Sequence, residues 1–522
     1  MDYPYDVGPY SRKVTTASAD AQRWFDRGLN WCFGYHHEEA VACFERALEI
    51  DPSCAMAHWG VGYAVGPNYN YPWELQDPAG KAASLARAHD SARAAYVLVD
   101  RVTAPERALI EALSSRYPQR DPIDDQRGWN DAFADAMRLA HQAHPGDLDL
   151  RAIFVEAILN RTPWRMWDLR TGEPASGAGT LEAREVLESA FRDLPGAMDH
   201  PGLLHLHVHL MEMSPEPQAA LATGDRLREL TPDMGHLTHM PTHIDIQCGH
   251  YRDAMHWNQK AIVADRKFYD RAGPMNFYSG YRVHNYHFAA YGAMFLGQYA
   301  PAIAAADELI ATTPEEMLRI PSPPMGDFFE SYISIRQHVL IRFGKWHEII
   351  AQDLPKDRDL YCNTTAMIHY AKGVAMLRWA RCRLPKPNRC CFENRSNGCP
   401  RHGIFTTFRA CSFWRWPRRC WRGRSPIAAL SMTQRSLISV LRSRWRTTCP
   451  TTSHGVGCSR SAMRLGRFCW SRAALRRPRR SIAKTSVWMA HCRVPRSIQI
   501  ICGPFAGCWT ASSATGRLQN PR

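Results

Sequence analysis

Small, aromatic and proline residues recur along this chain at a fixed spacing. Counting Ala21 as position 1, Trp24 falls at position 4, Gly28 at 8, Trp31 at 11, Ala40 at 20, Phe44 at 24, Ala47 at 27 and Pro52 at 32. The layout predicts two antiparallel helices joined by a turn, with small residues letting the helices pack closely. The next unit begins at Ala55, keeps Gly62 at position 8, then breaks into Gly66-Pro67-Asn68-Tyr69-Asn70, a loop signal. Register returns in units starting at Pro201, Gly235 and Val283, which place Ala220, Ala254 and Ala302 at position 20 and Leu227, Ala261 and Leu309 at position 27. Trp129 to Asn160 and Asp327 to Leu377 read as weaker members of the array, and Arg170 to Gly179 as a loop.

A period of 34 residues with these positions resembles the tetratricopeptide repeat (TPR). The fold expected is all-α: a right-handed α-solenoid of antiparallel helix pairs over residues 19–377, preceded by an N-terminal extension, residues 1–18.

Candidate chemistry sits inside this register. Eleven of the 23 histidines lie between His200 and His287. His205, His209 and Glu212 stand at i, i+4, i+7, and His236, His239 and His243 at i, i+3, i+7, so each set shares one face of a helix. In the tetratricopeptide family, positions 2, 5, 9 and 12 of the first helix line the concave groove. The resemblance therefore implies that both sets, together with His284, His287 and Tyr291 at positions 2, 5 and 9 of their unit, face one space.

The strings His200-Pro201-Gly202, His205 with His209 and Glu212, Gly235-His236-Leu237 with His239-Met240-Pro241 and His243, and His284-Asn285-Tyr286-His287 also resemble a group of bacterial and fungal TPR-like proteins. His37, Cys54-Ala55-Met56-Ala57, Trp59-Gly60 and Gly66-Pro67-Asn68 fit it too. The resemblance spans roughly Tyr5 to Leu377 and implies a fold and marked positions, without a reaction.

Neutral imidazole is the commonest protein ligand for transition metals. His205, His209, Glu212, His236, His239 and His243 are accordingly the candidate ligands of a divalent transition metal, Zn, Mn, Fe, Ni or Cu. Three or four would ligate, leaving a position open; His287 and Tyr291 are the candidates for proton transfer. No His-Glu-x-x-His occurs, so no named zinc-protease class is matched. Solitary histidines such as His89, His141, His144, His338, His347 and His369 read as packing or surface residues, and His207 points away from the His205 and His209 face. His36 and His37 read as capping residues, and Asn68, Asn70 and Trp73 as an inserted loop that could cover one end of the groove.

The function expected is a metal-dependent enzyme acting on a small molecule, with hydrolytic chemistry set ahead of oxygen-using redox chemistry. The alternative is a scaffold that binds a peptide or protein segment without catalysis. Groove positions carrying His, Glu and Tyr, in place of the Lys and Arg that hold a terminal carboxylate, count against one common scaffold ligand.

Charge divides the chain. Residues 381–522 hold 29 Lys and Arg against one acid, Glu393, leaving 36 basic and 49 acidic residues before them. Twelve of the 17 cysteines lie in the same tail, and no hydrophobic period survives there. Codon degeneracy lets Thr447–Cys458, Ser481–Ser486 and Ile498–Trp509 become acidic, repeat-like sequences under one shared one-nucleotide shift. Residues 378–522 therefore read as a frameshifted, non-native basic tail, and the arginines around Trp414, Trp416 and Trp421 as no nucleic-acid patch. With no apolar run of membrane-spanning length and no leader, a cytoplasmic protein without nucleic-acid or membrane partners is expected.

Overall fold

The structure, a computed structural model, describes residues 3–320 and 325–383. The expectation for the tail lies outside the described residues apart from its first few positions. Helices follow one another in pairs: α1 (Ala19–Phe33) with α2 (His37–Ile50), α3 (Ala55–Ala64) with α4 (Pro78–Val97), α5 (Ala104–Arg116) with α6 (Arg127–Ala143), α7 (Leu148–Leu159) with α8 (Thr180–Asp193). The middle of the chain continues with α9 (Pro201–Met211) and α10 (Leu221–Leu230), then α11 (Gly235–His239) and α12 (Pro241–Cys248) against α13 (Tyr251–Ala272), then α14 (Ser279–Leu296) with α15 (Tyr299–Ala311). Shorter elements follow: α16 (Glu315–Leu318), α17 (Met325–Ile333), α18 (Ile335–Arg342) and α19 (Trp346–Ala351), with α20 (Cys362–Arg383) last. Among the described residues there is no strand, only isolated bridges such as Asn68 with Tyr71. The protein is all-α over these residues, an array of successive helix pairs. Among the described residues no helix is long and apolar enough to cross a membrane.

Local sequence explains the helix ends. Ser18 caps α1 by accepting from the Ala21 amide, and Asp147 caps α7 by accepting from Leu150. His36 caps α2 through the Glu39 amide, as expected, while its ring also stacks on Tyr278, with centroids 4.0 Å apart. Pro241 lacks an amide hydrogen, which interrupts the helix between α11 and α12. This corrects one expectation: His236 and His239 lie on α11, whereas His243 lies on α12.

Most of the helices carrying the histidines are buried all round. Every residue of α9 is buried, as is α14 from Ser279 to Met294. A helix apolar on all sides must sit inside the molecule. What covers these helices corrects a second expectation, that of an open groove. The α1–α2 turn packs on α9, where a Cβ on Gly202 would stand 2.6 Å from Phe33 Cδ1, so glycine permits the approach. Arg271 pairs with Glu39, the Phe277 amide donates to Glu38, and Tyr71 packs on Phe277 at 4.4 Å. The first repeat thus folds back onto the fifth to seventh.

The N-terminal extension reinforces this closure. Arg12 Nη1 pairs with Asp147 at 2.8 Å and Asp149 at 2.6 Å, and Thr15 bonds to Glu106. The Asp6 amide donates to Asp233, and Tyr10 packs on His200 at 4.4 Å. A strap of extended chain therefore joins helices far apart in sequence.

Candidate metal centre

Six imidazoles meet at the centre of the closed fold, in two groups. His205, His209 and His236 offer ligand nitrogens all within 4.8 Å of one another, and so do His239, His243 and His284. The groups adjoin, with the His236 and His239 rings 6.1 Å apart.

Hydrogen bonds on the outer nitrogens determine what the inner ones present. His205 Nδ1 lies 2.6 Å from the Phe33 carbonyl oxygen, which can only accept, so Nδ1 carries the proton and Nε2 is a bare lone pair. Glu212 reaches His209 Nδ1 with Oε1 at 2.9 Å and His243 Nδ1 with Oε2 at 2.7 Å. Burial alone would raise the Glu212 pKa, but His243 and then His209 hold it well below the usual carboxylate range, so it stays ionised and accepts from both rings. His239 Nδ1 faces Asn258 Oδ1 at 2.6 Å; the Asn258 amide group donates to Thr242 and to the Ala254 carbonyl, which fixes its orientation. Four rings are therefore locked with Nδ1 protonated and Nε2 turned inward.

Those inner nitrogens lack donors. Nε2 of His205 and of His209, and both nitrogens of His236, are buried without a hydrogen-bond partner. In the second group His239 Nε2 lies 3.0 Å and His284 Nε2 3.3 Å from His243 Nε2. Bare lone pairs at this separation repel unless a proton or a cation stands between them. Nitrogens bound to one ion at ~2.1 Å stand roughly 3.0 to 3.4 Å apart in octahedral or tetrahedral geometry. Burial, reinforced by neighbouring imidazoles, pushes His205, His236, His239 and His284 well below the ordinary histidine pKa, so they are neutral at pH 7, as metal ligands must be. His200 offers a contrast: its Nδ1 accepts from the Leu203 amide and its Nε2 faces Asp149, a capping histidine spent on structure.

The walls of the two groups differ. Tyr35 lies 4.6 Å from His205, Tyr69 4.8 Å from His209 and Tyr281 4.3 Å from His236, and all three tyrosines are buried. Tyr69 belongs to the loop after α3, which Arg116 anchors by donating to the Pro67 carbonyl at 2.7 Å. That loop covers the centre and is no ordinary insertion. The second group packs on Phe288, 4.5 to 4.9 Å from its three rings, and retains a little solvent exposure at His243. His207 turns away to Thr223, as the helical spacing predicts.

The expected site residues are thus distributed as follows. His205, His209 and His236 share one group, and His239 and His243 the other. Glu212 enters neither, standing behind one ring of each. His284, expected to face the same space but not named among the candidate ligands, joins the second group; its position 2, the same as that of His236, was the available signal. His287 lies 6.0 Å from His284, and Tyr291 6.5 Å from His287, at the edge of the second group. Tyr35 went unnoticed in sequence because it belongs to the first repeat.

Tyr35 has φ 53°, in the left-handed region that a bulky residue rarely adopts, and its buried hydroxyl has no partner. Both features cost stability, on the order of 1 to 3 kcal/mol each. Tyr35→Phe, which removes only the hydroxyl, should raise the melting temperature if nothing bound uses that oxygen. A variant that melts lower than wild type would show that the hydroxyl is satisfied in solution.

No family model and no curated protein matches the chain. Among solved structures, the crystal structure of the P58(IPK) TPR domain matches at 12% identity, covering 70% of this chain and 100% of that one, with a TM-score of 0.17. The fold assignment rests on the helix pairing itself.

Proposed function

We propose that this chain is a metalloenzyme in which the buried imidazoles hold divalent transition metal and act on a small molecule. The single observation carrying this reading is the proton arrangement: outer Nδ1–H groups anchored to Phe33, Glu212 and Asn258, and inner nitrogens that converge, those of His205, His209 and His236 without donors. Burying such atoms without compensation costs ~1 to 3 kcal/mol each, which a metal would repay through coordination. Outer partners of this kind orient histidine ligands and raise their basicity.

Hydrolysis remains the first chemistry to test. A bound ion lowers the pKa of its water toward neutrality and polarises an acyl or phosphoryl oxygen. His287 is neutral at pH 7, because burial and then His338 hold its pKa down at about 3, and this makes it a weak base; it serves in proton transfer only where bound substrate raises that pKa. Tyr291 stands beside it as a second proton-transfer candidate. The ring of tyrosines around the first group favours the oxygen-using alternative with iron or copper. A peptide scaffold draws less support, since the inner face is covered by the first repeat and the loop at Tyr69.

The test is metal content and turnover of protein purified without an affinity tag. Wild type should retain metal through dialysis and act on a panel of esters and phosphoesters, or consume oxygen with reduced substrates. His209→Ala and His239→Ala should each lower activity at least 100-fold. A wild type that binds no metal tightly at neutral pH would end the metalloenzyme reading and leave the scaffold.

A further inference from the structure

The geometry points to a centre of two ions, one in each histidine group, with Glu212 as the carboxylate that couples them. This inference rests on the metal-binding part of the reading above and adds nuclearity and coupling to it.

Three observations carry it. First, the six nitrogens do not form one coordination sphere: each set of three closes on itself within 4.8 Å, and the sets are offset along α11 by the step from His236 to His239. Second, each group is oriented by its own outer partner, Phe33 O for His205 and Asn258 for His239. A single ion migrating between two half-sites would not need both groups preset. Third, among the described residues Glu212 is the one carboxylate in hydrogen-bond contact with both groups, donating nothing and accepting from His209 and from His243.

Two divalent cations so close in a buried space repel each other. Six neutral imidazoles offer no compensating charge, so the shared carboxylate supplies part of it through the rings it bonds. Withdrawal of electron density from His209 by an ion in the first group strengthens its bond to Glu212, and this alters what Glu212 offers His243. The ions would therefore bind interdependently. The remaining positive charge favours a small anionic ligand, hydroxide or a substrate oxygen, between the ions.

The two ions would also exchange at different rates. The first group is enclosed by Tyr35, Tyr69 and Tyr281, whereas the second includes His243, whose side chain is 12% exposed. A chelator should remove the ion held by His239, His243 and His284 first.

Glu212→Gln is the sharpest probe because it keeps the shape. Glutamine can accept from one Nδ1–H but must present its NH₂ to the other ring. That ring then accepts at Nδ1 and carries its proton on Nε2, where it cannot ligate. One ion should be lost or weakened 10- to 100-fold while the other stays.

The experiment is titration of metal-free full-length chain with Zn(II), read by native mass spectrometry and elemental analysis, and with Co(II), read by absorption. Wild type should bind two ions, leaving in a fast and a slow phase on chelation. His205→Ala and His284→Ala should each bind one, and the double variant none. Should an alanine variant fail to fold, His205→Gln and His284→Gln replace it, and the wild-type count alone still decides. A wild type saturating at one ion overturns the two-ion centre and leaves the metalloenzyme reading intact; no ion overturns both. Two ions without turnover on any substrate sustains this inference and removes the enzyme. Glu212→Gln binding two ions with unchanged affinity and kinetics overturns the coupling.

Discussion

Lowering the pH from 7 to 5 should unfold this protein in its metal-free form. Unfolded histidines take up protons near pH 6.5. In the folded chain, burial holds the pKa of His207 down at about 4 and that of His287 at about 3. Both therefore stay neutral while their unfolded counterparts charge. Below pH 6.5 the unfolded state binds more protons, so stability, complete above that pH, falls with acidification until the folded pKa values are reached. Each group contributes up to ~1.4 kcal/mol per pH unit, so these two alone remove on the order of 4 kcal/mol by pH 5. Burial likewise holds the pKa of His37 and of His338 down at about 4, so both add to the loss of stability over the same range. His205, His236, His239 and His284 shift in the same direction. Domains of ordinary stability have only ~5 to 15 kcal/mol to lose. Asp149, whose pKa the Arg12 guanidinium and then His200 hold below the usual carboxylate range against burial, matters only at lower pH. Urea midpoints followed by circular dichroism at pH 7.5, 6.5, 5.5 and 5.0 measure the effect. Midpoints that stay level across this range would mean that the imidazoles are solvated and the closed centre is wrong.

Gly235→Ala should be the most damaging single-methyl change near the site. A Cβ at residue 235 would overlap Asp265 Oδ1 and stand 2.9 Å from the Ala261 carbonyl oxygen. Asp265 cannot easily yield. It accepts from Tyr278 at 2.9 Å and Asn285 at 2.7 Å, and Tyr278 in turn accepts from the His236 amide at 3.2 Å. The methyl group must therefore push α11 from α13 or break this network, at a cost of about 2 to 4 kcal/mol. His236 moves with the backbone, so a folded Gly235→Ala should also lose metal affinity in the first group. Chemical denaturation beside a metal titration tests both parts. A stability change under 0.5 kcal/mol would show that the α11–α13 packing is looser than described.

Much of this centre was visible in the spacing of residues, because helical periodicity and repeat register are local properties. His205 and His209 share a face four residues apart, His205 and His239 both occupy position 5 of successive repeats, and His236 and His284 both occupy position 2. What spacing could not reveal depends on contacts between distant segments. Glu212 looks like a ligand from its place one turn beyond His209; only the approach of His243 on a different helix turns it into a clamp for two rings. Pro241 stood in plain view as a helix breaker, yet the helices it separates carry His239 and His243, which share a group, while the division between groups falls between His236 and His239 on α11 itself. Tyr35, Tyr69 and the Phe33 carbonyl come from the first repeat and the following loop, and no periodic pattern relates them to α9. The fold itself was legible for the opposite reason: its helix pairs are neighbours in sequence.

Helical repeats fold quickly because nearly every contact joins residues close in the chain. The bond from Phe33 to His205 spans 172 residues and that from Glu38 to Phe277 spans 239. During synthesis, N-terminal repeats emerge and pair long before α14 exists, and at ~5 to 20 residues per second the first repeat waits on the order of ten seconds or more for its partner. The surface of Phe33 and Tyr35 that will meet the histidines is exposed throughout that interval. Ring closure is then the step that both hides this apolar surface and assembles the inner nitrogens, so the proposed metal site arrives with the last act of folding and not before it.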